Sequence, residues 1–240
     1  MRYSFESRIR YSETDENKQL DLAGIINYFQ DCSVFHSEDH GVGLDWLGER
    51  DLAWLMSAWQ IVIDRFPRLG EQVRISTWAY SFREFYGYRN FTLETLIGER
   101  LAYANSVWVY MNMKTGFPVR ISDDVISRYT VSPQLDMDTA PRRIVLPDAP
   151  RQNLEPFIVP AAAIDSNHHV NNGQYIRMAE EYLPAGFRLH QMRADYRKSA
   201  LLGDTITPCI YDGGLTRTVS LNDGKGRPYV VVEFTGRDEA

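Results

Sequence analysis

Stretches of alternating character run through the first half of this chain and predict β-strands. Aromatic and β-branched residues dominate them, and Gly70, Gly87 and the Gly98-Glu99-Arg100 sequence supply turn signals between them. The predicted strands cover residues 3–12, 54–66, 72–82, 88–97 and 101–113. We therefore expect a strongly twisted antiparallel sheet in this half.

Two longer stretches have helical spacing instead. The first carries apolar residues at Leu22, Ile25, Ile26 and Phe29, which predicts a helix with an apolar stripe. The second follows an apolar run at residues 157–164 and a polar motif, so it begins where a strand passes into a helix. A short helix is predicted at 122–129, and a series of prolines then predicts a linker.

The two halves of the chain share the polar motif at a constant spacing. Residues Asp15, Asn17, Gln19 and Leu20 lie 150 residues before Asp165, Asn167, His169 and Val170, respectively. Two further segments match, since residues 69–71 and 202–204 both have the sequence Leu-Gly-acidic and both open a strand. A long repeat that occurs twice indicates a duplicated domain rather than a solenoid.

The motif in the second half carries candidate catalytic chemistry. If its backbone is extended, Asp165, Asn167 and His169 point to one side, so a carboxylate, an amide and an imidazole converge. An imidazole can take a proton from water near neutral pH, and the first N–H groups of the following helix can stabilise a developing oxyanion. The alternative is structural: Asn171 or Asn172 caps the helix, and Asp165 and His169 form a buried polar pair.

The motif Asp-x-Asn-x-His-Val-Asn-Asn-x-x-Tyr at residues 165–175 resembles the signature of the acyl-(acyl carrier protein) thioesterases. This family includes the plant enzymes that end fatty acid chain growth. The resemblance implies an α+β fold in the form of a tandem, or double, hotdog, with two antiparallel sheets that each wrap a central helix. It also implies the domains: residues 1–130 as an N-terminal hotdog for acyl-chain selection, 131–155 as a linker, and 156–240 as the catalytic hotdog.

The resemblance assigns the catalytic positions to Asp165, Asn167 and His169. His169 is expected to activate water, because its ordinary pKa is near neutral, whereas direct attack by Asp165 to form an anhydride stays open. We expect Asn172 and Ser199 to contact the substrate. At Ser199 the sequence departs from the plant members, which carry an acidic residue in the segment after Tyr-Arg-Arg; Glu180 or Glu181 is the candidate replacement.

The first copy of the motif is expected to be inactive. It has Gln19 at the position of His169, and an amide cannot act as a general base near pH 7. The family's N-terminal half is associated with chain selection, and the aromatic and aliphatic residues that follow this motif can line such a site or form ordinary core. The residues in question are Trp54, Leu55, Met56, Trp59 and Phe66.

Composition narrows the function classes further. A net charge of −6 argues against a general nucleic-acid or anionic-membrane binder, because both need a basic surface. Cys32 and Cys209 are far apart in apolar stretches, which predicts reduced, buried thiols. His36 and His40 are spaced as in some zinc sites, but no third ligand stands out, so we expect neither a metal nor a cofactor. The N-terminus shows no signal or transit pattern, which suggests a bacterial cytoplasmic enzyme.

The expected function is a thioester hydrolase that cleaves acyl-(acyl carrier protein) to free fatty acid and carrier in fatty acid biosynthesis. Its partner is then an acyl carrier protein bearing an acyl-phosphopantetheine, docked on a local basic patch. Candidate cations are Arg142, Arg143, Arg197, Lys198, Lys225 and Arg227. An acyl-coenzyme A thioesterase, a hydratase of the same architecture and a non-catalytic carrier-binding module are the alternatives, and the sequence leaves the oligomeric state open.

Overall fold

The computed structural model describes residues 2–148, 151–165 and 167–237, which form two compact units. Unit 1 contains the residues up to Ser57 together with Ile63–Ala140, and unit 2 contains Ala58–Val62 and the residues from Pro141 onwards. The α-helices are α1 (Leu22–Asp39), α2 (Leu44–Gly48), α3 (Asp123–Ser127) and α4 (Asn172–Glu180). The strands are β1 (Tyr3–Arg8), β2 (Leu52–Ile63), β3 (Gln72–Arg83), β4 (Tyr86–Thr95), β5 (Arg100–Asn112), β6 (Phe117–Pro118), β7 (Arg151–Asn153), β8 (Phe157–Ile158), β9 (Leu189–Tyr196), β10 (Thr205–Gly213), β11 (Thr216–Asn222) and β12 (Pro228–Gly236).

Unit 1 is an antiparallel sheet with the long helix α1 packed on it. Strands β1, β3, β4 and β5 follow one another in the sheet, and β6 pairs with β5. Helix α1 is buried against them: the Phe29 ring lies 5.1 Å from that of Phe91, and the Cys32 thiol donates to the Ile75 carbonyl at 3.7 Å. The helix begins after Asp21, whose side chain accepts the Gly24 N–H.

Unit 2 repeats this plan with a shorter helix. The order is β9, β12, β11, β10 and β7, with β8 also on β10, and the residues Ala58–Val62 of β2 pair with β9. Helix α4 has 9 residues against 18 in α1, and it buries Tyr175, Ile176 and Ala179. Apolar residues of the strands fill the space beneath, and Val230, Val232 and Phe234 are completely buried.

The predicted strands and helices of the first half are present, except that the first strand ends at Arg8 instead of residue 12 and one turn is displaced. We expected a turn at Gly87, but the chain reverses at Glu84 and Phe85, and Gly87 lies inside β4. Glu84 adopts a φ angle of 53°, so the turn uses a left-handed residue other than glycine. The glycine at position 87 has a packing reason instead, because a Cβ there would come within 3.0 Å of the Trp54 ring.

The segment predicted as a linker makes hydrogen bonds and an ion pair with strand residues. In unit 1, the Ser132 N–H donates to Ala79 at 3.0 Å, and the Trp78 indole donates to Pro133 at 2.9 Å. In unit 2, Arg143 contacts the buried carboxylate of Asp195 at 3.4 Å. Strand β7 also falls inside this segment, whose last residues therefore belong to a sheet. The two units divide between Ala140 and Pro141, and unit 2 also includes Ala58–Val62.

Candidate active site

The first part of the motif, residues 165–169, forms a tight turn between two bridged residues. Ile164 and Val170 form an isolated antiparallel bridge, and the Asp165 N–H donates to the His169 carbonyl at 2.9 Å. The His168 N–H donates to the Asp165 carbonyl at 3.0 Å, and His168 has a φ angle of 61°. Ser166 lies outside the described residues. The backbone here is therefore not extended, so the convergence of side chains that was conditional on an extended backbone does not follow.

The carboxylate of Asp165 explains why the turn forms. Its Oδ1 accepts the backbone N–H of Asn167 at 2.8 Å and that of His169 at 3.4 Å. A short acidic side chain that bonds the backbone two and four residues on competes with an extended strand, because it satisfies N–H groups that a neighbouring strand otherwise takes. Asp165 thus fixes the shape of the loop on which the other two candidates lie.

The turn brings the three candidate catalytic residues into one short loop without joining their side chains. Asn167 is exposed, whereas Asp165 and His169 are half-buried. In the described part of the chain, the hydrogen bonds of the Asp165 carboxylate go to backbone N–H groups and not to the imidazole. Asp165 therefore holds the backbone of the loop.

Helix α4 begins immediately after the loop, as predicted, and Asn171 is its N-cap. The Asn171 side chain accepts the Gly173 N–H at 2.8 Å, and its carbonyl accepts the N–H groups of Gln174 and Tyr175 at 3.0 and 3.3 Å. These groups are therefore occupied, so the helix start offers fewer open donors to an oxyanion than we expected. Asn172, an expected substrate contact, is the first helical residue and is half-buried.

Two tyrosines, Tyr175 and Tyr196, fix the start of α4 through their hydroxyl groups. The Tyr196 hydroxyl donates to the Asn172 carbonyl at 3.0 Å, and the Tyr175 hydroxyl accepts the Ala200 N–H at 2.7 Å. Burial raises the pKa of both phenols well above the ordinary value, so both stay neutral. Tyr175 closes the motif and could have been singled out on that ground, whereas the sequence marks Tyr196 only as the residue at the Tyr of the plant members' Tyr-Arg-Arg run.

Ser199, the other expected substrate contact, lies beside the loop. The Ala200 carbonyl accepts the Val170 N–H at 3.0 Å, which ties the segment after β9 to the end of the motif, and the Ser199 side chain is exposed one residue earlier. Glu180 and Glu181 are the candidate replacements for the missing acidic residue. They lie at the far end of α4, roughly 13 Å along the axis from the helix start at 1.5 Å per residue.

The first copy of the motif has the same loop. Asp15 Oδ1 accepts the N–H groups of Asn17 and Gln19, both at 2.9 Å, and the Asp15 N–H donates to the Gln19 carbonyl at 2.8 Å. Thr14 and Leu20 form the bridge that corresponds to the bridge between residues 164 and 170. The repeat seen in the sequence is thus a repeat in structure, and the two loops differ where Gln19 replaces the imidazole.

His36 and His40 belong to a packed cluster in unit 1. The His36 ring is 3% exposed, and its Nδ1 lies 2.7 Å from the buried Arg89 guanidinium, while His40 Nδ1 lies 2.8 Å from the His36 carbonyl. Burial, with help from Arg89, lowers the pKa of His36 to about 3. Across the described residues, no group of three His, Cys, Asp or Glu side chains is arranged to hold a metal.

The architecture of a helix on an antiparallel sheet, present twice with the same motif loop, defines the chain as a tandem hotdog protein. Residues 1–129 match the family model described as the acyl-ACP thioesterase N-terminal domain, and residues 148–225 match that of the C-terminal domain. The chain therefore belongs to the acyl-ACP thioesterase family, and the predicted α+β double hotdog is confirmed.

Solved structures and curated proteins are similar to the chain over most of its length. An acyl-ACP thioesterase from Bacteroides thetaiotaomicron matches with a TM-score of 0.89 at 21% identity, covering 98% of both chains. The 12:0-ACP thioesterase from Umbellularia californica matches with a TM-score of 0.85 at 20% identity, covering 99% of this chain and 98% of that one. A chloroplastic acyl-[acyl-carrier-protein] hydrolase of Cuphea viscosissima is 28% identical to this chain. The match covers 73% of this chain and 46% of the relative. The chain thus covers about half the length of that relative. Among the described residues, no helix is both long and apolar enough to cross a membrane.

Proposed function

We propose that this chain hydrolyses acyl-(acyl carrier protein) thioesters and releases a free fatty acid and the carrier in fatty acid biosynthesis. The observation that carries the proposal is the pair of motif loops of identical backbone design, of which the second presents an imidazole at His169. Membership in the family supports it, because both domain models match in order along the chain. The half-buried position of the ring, next to a helix start, suits a general base that a substrate can reach.

In the proposed reaction, His169 takes a proton from a water molecule whose oxygen attacks the thioester carbonyl. A tetrahedral oxyanion forms and then collapses, the carbon–sulfur bond breaks, and the imidazolium returns its proton to the leaving thiolate. The products are a carboxylic acid and the carrier thiol, so atoms and charge balance without a cofactor. The exposed amide of Asn167 donates to the carbonyl oxygen or holds the water.

The other predicted site residues support this step. Asp165 holds the loop through the N–H groups of Asn167 and His169, and in this assignment water rather than Asp165 is the nucleophile. Asn172 and Ser199 contact the substrate from the helix start and from the segment after β9. Unit 1, whose motif has Gln19 in place of an imidazole, selects the acyl chain.

The proposed partner is an acyl carrier protein that delivers the acyl group on a phosphopantetheine arm. The names of the relatives support it, since they describe hydrolases and thioesterases of acyl carriers. We assign the activity to the cytoplasm. The two free and buried thiols, Cys32 and Cys209, fit a reducing compartment. The named plant relatives differ from this assignment, because they are chloroplastic.

The test follows thiol release from acyl carrier proteins of several chain lengths and from the matching coenzyme A esters. We expect the wild-type chain to hydrolyse the carrier esters, and His169→Ala to lower kcat by about a hundredfold or more, the size expected for loss of a general base. Gln19→Ala is the matched control, because it truncates the corresponding residue of the first loop, and it is expected to leave kcat within about twofold.

Each alternative outcome points to a different function. Faster turnover of the coenzyme A esters would make the chain an acyl-coenzyme A thioesterase with the same chemistry. No thiol from either ester, together with tight binding of the acyl carrier, would favour a carrier-binding module. A His169→Ala variant as active as the wild type would refute the assignment of the base even if the chain is a thioesterase.

A further inference from the structure

Two cations of unit 2, Lys198 and Arg227, contact one carboxylate at the turn between β11 and β12, and the exposed Lys225 lies in the same turn. Asp223 Oδ2 lies 3.1 Å from Lys198 Nζ and 3.3 Å from the Arg227 guanidinium. Its Oδ1 accepts the backbone N–H groups of Lys225 and Arg227, both at 2.9 Å. These bonds, with the two cations, lower the pKa of Asp223 far below its ordinary value. Asp223 is thus a fixed negative charge that organises the turn.

The carboxylates at this turn do not balance the cations. Lys198, Lys225 and Arg227 are all exposed, while Asp223 is buried. Asp204, whose carboxylate accepts the Tyr229 hydroxyl at 3.1 Å beside this group, is the second acid. Among these groups, three exposed cations stand against two carboxylates, so together they carry a net positive charge in a chain whose net charge is −6.

The same place in unit 1 has a different charge arrangement. Lys198, Asp204 and the turn holding Asp223 correspond to Arg65, Glu71 and the turn holding Glu99. Arg65 binds both glutamates with two hydrogen bonds each, at 2.6–3.0 Å, so its guanidinium is fully engaged. Lys198 and Arg227 instead share a single carboxylate oxygen. The duplicated position therefore leaves cationic charge open to solvent in the unit that carries His169.

This positive surface is continuous with exposed leucines and with the motif loop. The Lys198 ammonium lies 4.7 Å from the centre of the Tyr229 ring, and the Asp204 carboxylate that binds the Tyr229 hydroxyl also accepts the Leu201 N–H at 2.9 Å. Leu201 and Leu202 are 49% and 61% exposed. The carbonyl of the preceding Ala200 accepts the N–H of Val170, which directly follows the turn at residues 165–169. The surface therefore borders the candidate site.

We propose that the carrier protein docks on this surface, defined by Lys198, Leu201, Leu202, Lys225 and Arg227. The inference rests on the proposed function, and it specifies where that partner binds. An acidic carrier complements the exposed charges of Lys198, Lys225 and Arg227, and the two exposed leucines offer apolar contact beside them. A partner bound there delivers its phosphopantetheine arm past Ser199 toward His169. Of the cations named from the sequence, Arg143 and Arg197 instead contact Asp195, at 3.4 and 2.9 Å.

The experiment compares a carrier-bound substrate with a small one. Lys198→Gln combined with Lys225→Glu is expected to raise KM for acyl-(acyl carrier protein) about tenfold at low ionic strength, with kcat unchanged, and to leave acyl-pantetheine hydrolysis within about twofold. High salt is expected to remove most of the difference, since exposed charges are screened. Leu202→Gln is expected to raise KM several-fold with little salt dependence.

Lys18→Glu and Lys114→Glu are the matched controls, because both change exposed lysines of unit 1, and Lys18 lies in the loop of the first motif. Equal KM values for the double variant and these controls would overturn the docking surface while leaving hydrolysis intact. So would an equal loss on acyl-pantetheine, which would signal damage to the site itself. Binding of the holo-carrier without an acyl group, measured by calorimetry, tests the surface even if no thioester is hydrolysed.

Discussion

Lys18 and His168 adopt the same left-handed backbone conformation, with φ angles of 60° and 61° at corresponding places in the two motif loops. Each donates its N–H to the carbonyl of the aspartate three residues before it, at 3.0 Å. Neither residue is a glycine or an asparagine, the types that enter this region most easily. The turn therefore forces a strained residue at this point in both copies.

This strain is measurable as a difference in the free energy of unfolding between glycine and alanine variants. Lys18→Gly and His168→Gly are each expected to be up to about 1 kcal/mol more stable than Lys18→Ala and His168→Ala, because alanine keeps the Cβ that opposes a positive φ. Urea unfolding of the four variants is the measurement. His168→Ala also serves the activity assay, in which it is expected to retain kcat, since its ring is not the proposed base. Equal stability of the alanine and glycine forms would show that the turn relaxes.

The buried His36 makes the stability of unit 1 depend on pH. Its pKa lies near 3 in the folded chain, because of burial first and the charge of Arg89 next, against 6.5 for an ordinary histidine. Between these values the unfolded chain binds a proton that the folded chain does not. Stability is therefore expected to fall as the pH falls from about 6.5 toward 3, by at most about 1.4 kcal/mol per pH unit from this group.

His36→Gln tests this dependence, because glutamine does not titrate and offers an oxygen to Arg89. The variant is expected to be less stable at pH 7, where the packed ring is lost, and to show a shallower decline on acidification. Chemical unfolding at several pH values gives both quantities. The other groups near the ring are His40, Tyr3 and Tyr129. His40→Gln is the control for a titration that belongs to the neighbouring ring, and an unchanged slope in His36→Gln would assign the dependence elsewhere.

The hydroxyl groups of Tyr196 and Tyr175 fix the start of α4, and each can be removed separately. Tyr196→Phe loses a bond to the Asn172 carbonyl, and Tyr175→Phe leaves the Ala200 N–H without its acceptor. Each is expected to lower the free energy of unfolding by about 1–2 kcal/mol. Tyr175→Phe is also expected to lower kcat by several-fold, because Ala200 anchors the end of the motif through Val170. Equal kcat for both variants and the wild type would show that the loop keeps its place without these bonds.

The sequence predicted the repeat, the strands of unit 1 and the helix that starts after Asn171, because these depend on local patterns and on residue types at fixed spacing. It failed at the motif itself. Alternation favoured an extended backbone, whereas the Asp165 carboxylate bonds two N–H groups of its own loop and closes a turn. The preceding Asp15 loop shows the same competition between a side chain and a strand partner.

Pairings between distant residues were also beyond the sequence. Residues Ala58–Val62 pair with β9, and nothing in their apolar pattern distinguishes this partner from a strand nearer in the chain. The hydrogen bond between Tyr196 and Asn172 and the approach of Lys198 and Arg227 to Asp223 are of the same kind. The candidate cations could be named individually, but their clustering depends on the register of β9, β11 and β12.

The role of Asp165 can be separated into its charge and its hydrogen-bonding oxygen. Asp165→Asn keeps an oxygen that can accept the N–H groups of Asn167 and His169, whereas Asp165→Ala removes it. If Asp165 acts by shaping the loop, Asp165→Asn is expected to retain most of kcat, and Asp165→Ala to lose both activity and about 1–2 kcal/mol of stability. If its charge or nucleophilicity is needed, both variants lose activity while only Asp165→Ala loses stability. Asp15→Asn and Asp15→Ala supply the comparison, because the first loop has the same bonds without an imidazole. They are expected to repeat the stability changes and to leave kcat unaltered, and a loss of kcat in Asp15→Asn would show that the first loop also takes part in the reaction.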